Sequence, residues 1–182
     1  MAKLAASAYG QALYELAIES GSAAGYLDEA QIVLEAFKEN AELFDFLNNP
    51  KISKTNKIEA MENIFDSRVR KDITGLLVLA VEKDRQNELS GILEYFIART
   101  KEYLKIGIVY VTTPMELSAQ QKADVEKKLL GTTDFTTLEM QYSIDESLIG
   151  GMVIRIGDRV VDTSIKTKLA ELTKNLNKIQ LA

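Results

Sequence analysis

The chain has no cysteine, no histidine and no tryptophan, and only two prolines in 182 residues. Without Cys there is no disulfide, no thiolate nucleophile and no Cys-ligated zinc. Without His, the commonest general base near neutral pH and the commonest metal ligand are both missing. The lack of Cys fits a reducing compartment. No apolar run approaches the ~18 residues that a membrane-spanning helix needs, so no membrane insertion is expected. The start, Met1-Ala-Lys-Leu-Ala-Ala, has neither an apolar signal core nor the Arg content of a transit peptide, and the protein is expected to stay where it is made. A net charge of −5 argues against nucleic acid as a partner, because binding a phosphate backbone needs a basic face. The Lys-rich stretches 51–57 and 122–128 are interleaved with polar and acidic residues and read as solvated faces.

What is present is a chain that is 46% apolar and 27% charged, enough for a core and for a wetted surface. Up to about residue 105 the apolar residues recur with a helical period. Leu4, Ala5, Ala8, Tyr9, Ala12, Leu13, Leu16 and Ala17 form a wide stripe, half of it Ala, that Gly21 ends. A second helix carries Leu27, Ala30, Leu34 and Phe37. A short third one, with Leu43, Phe44 and Leu47, stops before Pro50. Ser53 caps a fourth with Ile58, Met61, Ile64 and Phe65. The fifth, about 69–84, is apolar nearly all round, which predicts a helix enclosed by neighbours. A buried strand competes over 76–81, but the four- and three-residue steps of Ile73, Leu77 and Ala80 favour helix. The sixth carries Leu89, Ile92, Leu93, Phe96, Ile97, Thr100, Tyr103 and Leu104, and is expected to close at Gly107.

Beyond Gly107 the period changes. Residues 108–113 are a β-branched run bounded by Gly and Pro114. Ser118 and Gln121 make a capping box for a helix with Val125, Leu129 and Leu130 that ends at Gly131. Residues 138–144 alternate as a half-buried strand. Two β-branched runs flank Gly157-Asp158, a dipeptide that suits a type II′ hairpin because its first residue must take a positive φ. That turn pairs Ile156 with Arg159, Ile154 with Val161 and Val153 with Asp162. Met152, Ile154, Ile156 and Val161 then share one face, and Arg155 and Asp162 lie diagonally on the other, within reach of an ion pair. Gly150-Gly151 marks a sharp bend or a close backbone approach. Asp162, Thr163 or Ser164 begins a last helix with Ile165, Leu169, Leu172, Leu176 and Ile179. The expected fold is mostly α: a six-helix bundle over 1–105, then a small α/β module with a β-hairpin over 106–182.

Candidate chemistry is thin. The glycine pairs feed strands, whereas a phosphate loop feeds a helix N-terminus and usually carries a Lys. The carboxylates Asp145 and Glu146, or Asp158 and Asp162, read as caps and turn residues in the absence of a recognisable pocket. The informative features are for docking: an apolar fifth helix that a small bundle struggles to cover, beside an Ala-rich stripe that would form a groove for an amphipathic helix.

The run SLIGGMVIRIGDRVVDTS from Ser147 to Ser164, followed by a helix with Leu169 and Leu172, resembles the C-terminal signature of the delta subunit of bacterial F-type ATP synthase. The mitochondrial counterpart of that family is the oligomycin-sensitivity-conferring protein. Near the start, Ala6-x-Ala8-Tyr9-Gly10-Gln11-Ala12-Leu13 resembles the family's first helix, with Ser7 where Arg is common and Gly10 where Ala is common. Arg85 also falls where such proteins tend to carry Arg. The resemblance implies a non-catalytic stator part of the peripheral stalk that resists torque while proton-driven rotation makes ATP. It needs no cofactor and no metal, and would be peripheral on the cytoplasmic face of the bacterial membrane. It further implies that a groove between the first and fifth helices takes the N-terminal helix of an alpha subunit, with Tyr9, Ala12, Leu13, Leu16, Leu76 and Leu79 as contacts. The C-terminal module would hold the end of the b subunits, with Gly150, Gly151, Arg155, Gly157, Asp158, Asp162 and Ser164 as its structural motif. A helical adaptor of another assembly and a small carboxylate enzyme are the alternatives.

Overall fold

The computed structural model describes residues 2–179 of the backbone and the side chains of 6–174. The side chains of Leu4, Ala5, Leu176 and Ile179, assigned above to helix stripes, lie outside the described residues. The chain divides into two compact units, Met1–Leu104 and Lys105–Ala182.

The first unit holds α1 (Ala2–Glu19), α2 (Ala23–Glu39), α3 (Ala41–Asn48), α4 (Lys54–Phe65), α5 (Lys71–Glu82), a 3₁₀ turn (Gln86–Glu88) and α6 (Leu89–Tyr103). Its core is built from Leu13, Val33, Leu47, Met61, Ile73, Leu77, Leu93 and Phe96, all fully buried. The helix ends follow their local chemistry. Gly21, at φ 65°, lets its own N–H reach the Ile18 carbonyl and that of Ser22 reach Ala17, which satisfies two orphan carbonyls of α1. Asp84, at φ 57°, closes α5 in the same way, and Lys54 Nζ lies 2.5 Å from its carboxylate. Ser53 Oγ accepts from Asn56 N–H at 3.2 Å to start α4. The beginning of α5 is tied to α2: Glu29 accepts the Arg70 backbone N–H at 2.6 Å, the Arg70 guanidinium lies over the Tyr26 ring, and the Tyr26 hydroxyl donates to Asp72.

Two expectations fail here. The fifth helix is not enclosed: Ile73, Leu76, Leu77, Ala80 and Val81 are buried, but Gly75 and Leu79 are exposed. Neighbouring helices of so small a unit cover one side only. The sixth helix does not run to Gly107. It ends at Tyr103, and the chain turns at Lys105, whose φ is 54°. Gly107 instead lies inside the first strand, where a Cβ would sit 2.7 Å from the Phe135 ring. It is Gly for lack of space, not to stop a helix.

The second unit holds β1 (Ile106–Thr113), α7 (Ala119–Leu130), β2 (Thr137–Ile144), a 3₁₀ turn (Glu146–Leu148), β3 (Val153–Ile156), β4 (Arg159–Asp162) and α8 (Ile165–Ile179). The sheet order is β2-β1-β3-β4. The pair β1 and β2 is parallel, joined by the α7 crossover, and the other pairs are antiparallel. The capping box at Ser118 and Gln121 is formed in both directions. Val109, Val111 and Leu138 are the buried centre, against which Val125, Leu129 and Leu130 of α7 and Met152, Ile154 and Ile156 pack. β3 and β4 pair Val153 with Asp162, Ile154 with Val161 and Ile156 with Arg159. Gly157 has φ 54° and Asp158 has no positive φ, which suits a type II′ turn.

The hairpin differs from expectation in its side chains. Val161 is exposed, because β4 is the edge of the sheet. Asp162 does not pair with Arg155. Its two carboxylate oxygens are taken by Ser164 N–H at 2.8 Å and the Thr167 hydroxyl at 2.7 Å, while Arg155 Nε donates to the Gly157 carbonyl at 3.4 Å.

Candidate docking surfaces

On α1 the period of 3.6 splits the expected wide stripe in two. Gly10, Leu13 and Ala17 point inward and are buried, whereas Ala8, Ala12 and Leu16 form an outer row at four-residue steps. Leu16 is 47% exposed. Tyr9 is half-buried, with the Arg85 guanidinium 5.5 Å from its ring centroid, and Arg85 reaches Glu88 at 3.8 Å. α5, which packs on α1, turns Gly75 and Leu79 outward, Leu79 being 39% exposed. Of the six residues assigned to a groove, Ala12, Leu16 and Leu79 are therefore at the surface and Tyr9 is partly so. Leu13 and Leu76 are core side chains and offer no accessible face. Gly75 is also exposed, in a cleft that α5 shares with Glu62, Asn63 and Asp66 at the end of α4, although the apolar pattern does not point to it. Its signal is of another kind: a Gly inside a helix weakens it unless something needs the room. A Cβ at Gly75 would meet nothing within 4 Å of this chain. Exposed Glu15, Glu19 and Glu82 border the row.

In the second unit the glycine motif sets where α8 begins. A Cβ on Gly150 would lie 2.5 Å from Ile165 Cδ1, and one on Gly151, at φ 75°, would lie 2.4 Å from the Thr163 carbonyl oxygen. Only bare backbone lets this loop lie against the junction of β4 and α8. Ser164, fully buried, caps α8 by accepting from Thr167 N–H at 3.2 Å. The Thr167 hydroxyl and then the Ser164 amide hold the Asp162 carboxyl below its ordinary pKa. Asp145 is lowered likewise, by its hydrogen bonds from Ser147. Lys166 Nζ donates to Ser147 Oγ at 3.0 Å. Asp158 and Arg155 are exposed around the turn. The motif is architectural. It presents α8, whose residues Ile165, Leu169 and Leu172 are exposed.

Rows of exposed apolar side chains on otherwise well-packed units are the usual mark of surfaces that meet other chains. Among the described residues no helix is long and apolar enough to cross a membrane. The sequence matches the family "ATP synthase delta (OSCP) subunit" over residues 5–176. It is 50% identical to ATP synthase subunit delta of Lachnoclostridium phytofermentans over 181 residues, covering 100% of both chains. It is 32% identical to the subunit of that name from Acetivibrio thermocellus, covering 92% of this chain and 94% of the relative. A chain of the Toxoplasma gondii mitochondrial ATP synthase hexamer has the same fold, with a TM-score of 0.68 at 20% identity over 94% of this chain and 96% of that one. The chain belongs to the ATP synthase delta (OSCP) subunit family. It is a peripheral-stalk component of the F-type ATP synthase, and its part there is structural, not catalytic.

Proposed function

We propose that the first unit receives the N-terminal helix of an alpha subunit in the space bordered by α1 and α5. The second unit, in this reading, holds the end of the b-subunit stalk. The observation that carries it is the exposure of Ala8, Ala12 and Leu16 on α1 and of Leu79 on α5, two helices that pack on each other. Small residues let a helix approach closely, and Leu16 and Leu79 give it apolar area to bury. Glu15, Glu19 and Glu82 on the border favour a partner helix with basic residues at its edges. Work at this site is done by affinity and stiffness: the head is held against torque, and no bond is made or broken. The same reading has the complex on the cytoplasmic face of the bacterial membrane.

The test is titration of the full chain with a peptide of the alpha-subunit N-terminus, and separately with the soluble part of b. Binding of both supports the reading. Failure to bind the alpha peptide removes the groove assignment, and failure to bind b removes the assignment of the stalk to the second unit.

A further inference from the structure

α1 and α5 stop on the same backbone device, and an arginine at each end of α5 reaches across to α1 or to the turn that ends it. Past α1 the Ser22 N–H donates 3.3 Å to the Ala17 carbonyl, and past α5 the Arg85 N–H donates 2.8 Å to the Ala80 carbonyl. Both are the six-to-one bonds of a Schellman stop, which fix the residue just beyond the helix. Arg70, the residue before α5, donates from Nη1 to the Ser22 carbonyl at 3.4 Å. Arg85, beyond the other end, sets its guanidinium 5.5 Å from the centroid of the Tyr9 ring on α1. Two helices that pack on each other are thus also tied at both ends of α5.

Each guanidinium is itself held. Arg70 lies 4.5 Å from the Tyr26 ring centroid, and its Nε is 3.4 Å from the Glu29 carboxylate. Gly25 leaves it room, since a Cβ there would lie 2.5 Å from Arg70 Nη2. Arg85 Nη1 is 3.8 Å from the Glu88 carboxylate, and Lys54 Nζ steadies the end of α5 by donating 3.1 Å to the Glu82 carbonyl. In sequence, Ala12 and Leu16 of α1 and Leu79 of α5 fall between the ties, and all three are exposed. Exposed side chains add little to holding the helices together. Burial beneath them is non-directional, whereas a cation on a ring or a carbonyl sets both direction and distance.

We infer that Arg70 and Arg85 are positioning residues: they clasp α5 to α1 at both ends and fix the face that a partner helix meets. Neither has to touch the partner. A face preset in this way loses little freedom on binding. This rests on the reading that the alpha-subunit helix docks on α1 and α5, and it names what sets the geometry of that site.

The test titrates the full chain with the alpha-subunit N-terminal peptide well below the melting temperature. On the free chain, pulsed electron paramagnetic resonance measures the distance between spin labels on Glu15→Cys and Glu82→Cys, the chain having no other cysteine. Wild type is expected to bind and to give one narrow distance. Gly25→Ala puts Ala for Gly in α2 and should keep or raise the melting temperature. It displaces the Arg70 guanidinium all the same, and should broaden the distance and weaken the peptide about fivefold. Arg85→Met should broaden it too and weaken the peptide about fivefold, while Arg85→Lys, which keeps a cation over the ring, should restore most of the affinity. If wild type binds and Gly25→Ala and Arg85→Met bind as tightly, the clasp is wrong and the docking face stands. Affinity that falls only as far as melting falls, with the distance unchanged, would reduce the arginines to ordinary stabilisers and overturn the proposal. If wild type does not bind the peptide, the docking face itself is wrong, and the clasp falls with it.

Discussion

Gly10 of α1 sits so close to Tyr95 of α6 that a Cβ there would lie 2.7 Å from Tyr95 Cδ1, and 2.9 Å from the carbonyl oxygen of Ile92. The aromatic ring can swing, but the backbone carbonyl cannot. Gly10→Ala is therefore expected to push α1 off α6 and cost about 1–3 kcal/mol. Urea unfolding of the full chain, followed by a probe in the first unit, measures this. A change near zero would mean that the two helices are less tightly apposed.

Gly75 is the converse case, an exposed helical glycine with open space above it. Gly75→Ala should stabilise α5 by about 0.5–1 kcal/mol through helix propensity in the same unfolding experiment. Ala12→Arg, also exposed, should leave melting alone and cost about 2 kcal/mol or more of alpha-peptide binding by setting a charge in an apolar contact. Unchanged affinity removes this face as the docking site.

The two positive-φ glycines of the C-terminal motif should respond unequally. A Cβ on Gly157 would have nothing within 4 Å, so Gly157→Val meets backbone strain alone, about 1–2 kcal/mol. Gly151 has that strain and a backbone oxygen 2.4 Å from where its Cβ would lie. Gly151→Ala should be the more damaging of the two in thermal melts. The reverse order would contradict the close approach of this loop to Thr163.

Asp162 and Asp145 are both held below the usual carboxylate range, by Thr167 and Ser164 and by Ser147 respectively. In acid the unfolded chain then binds protons more readily than the folded one. The stability from these hydrogen bonds is present above the unfolded-state value of about 3.9, and is lost as pH falls through the lower folded values. The second unit should lose stability as pH drops below about 4, and Asp162→Asn should flatten that loss. An unaltered acid profile would show that the Asp162 cap carries no such linkage.

Periodicity shows where helices and strands lie because burial of one face is a short-range pattern. Ser53, Ser118 and Gln121 act where their side-chain chemistry puts them, and the pairing of Ile154 with Val161 follows from the turn at Gly157. What periodicity cannot show is how many faces of a helix are covered. The outward turn of Leu79 and Leu16, against the burial of Leu76 and Leu13, depends on which neighbours arrive. Gly107 misleads for a related reason: its role is set by Phe135, distant in sequence. Asp162 had two partners within reach, Arg155 and the start of α8, and the nearer one in sequence, α8, captured it. The positive φ of Ile149 had no signal at all, since nothing local in Leu148-Ile149-Gly150 asks for one at an isoleucine.

A non-catalytic part of the peripheral stalk matters only through the force it carries. The most direct test is proton-driven ATP synthesis by a catalytic head and membrane sector stripped of this subunit, with and without the added chain. Synthesis is expected to be weak without it and to return on addition, while the chain alone hydrolyses no ATP. Synthesis that proceeds undiminished in its absence would contradict the account.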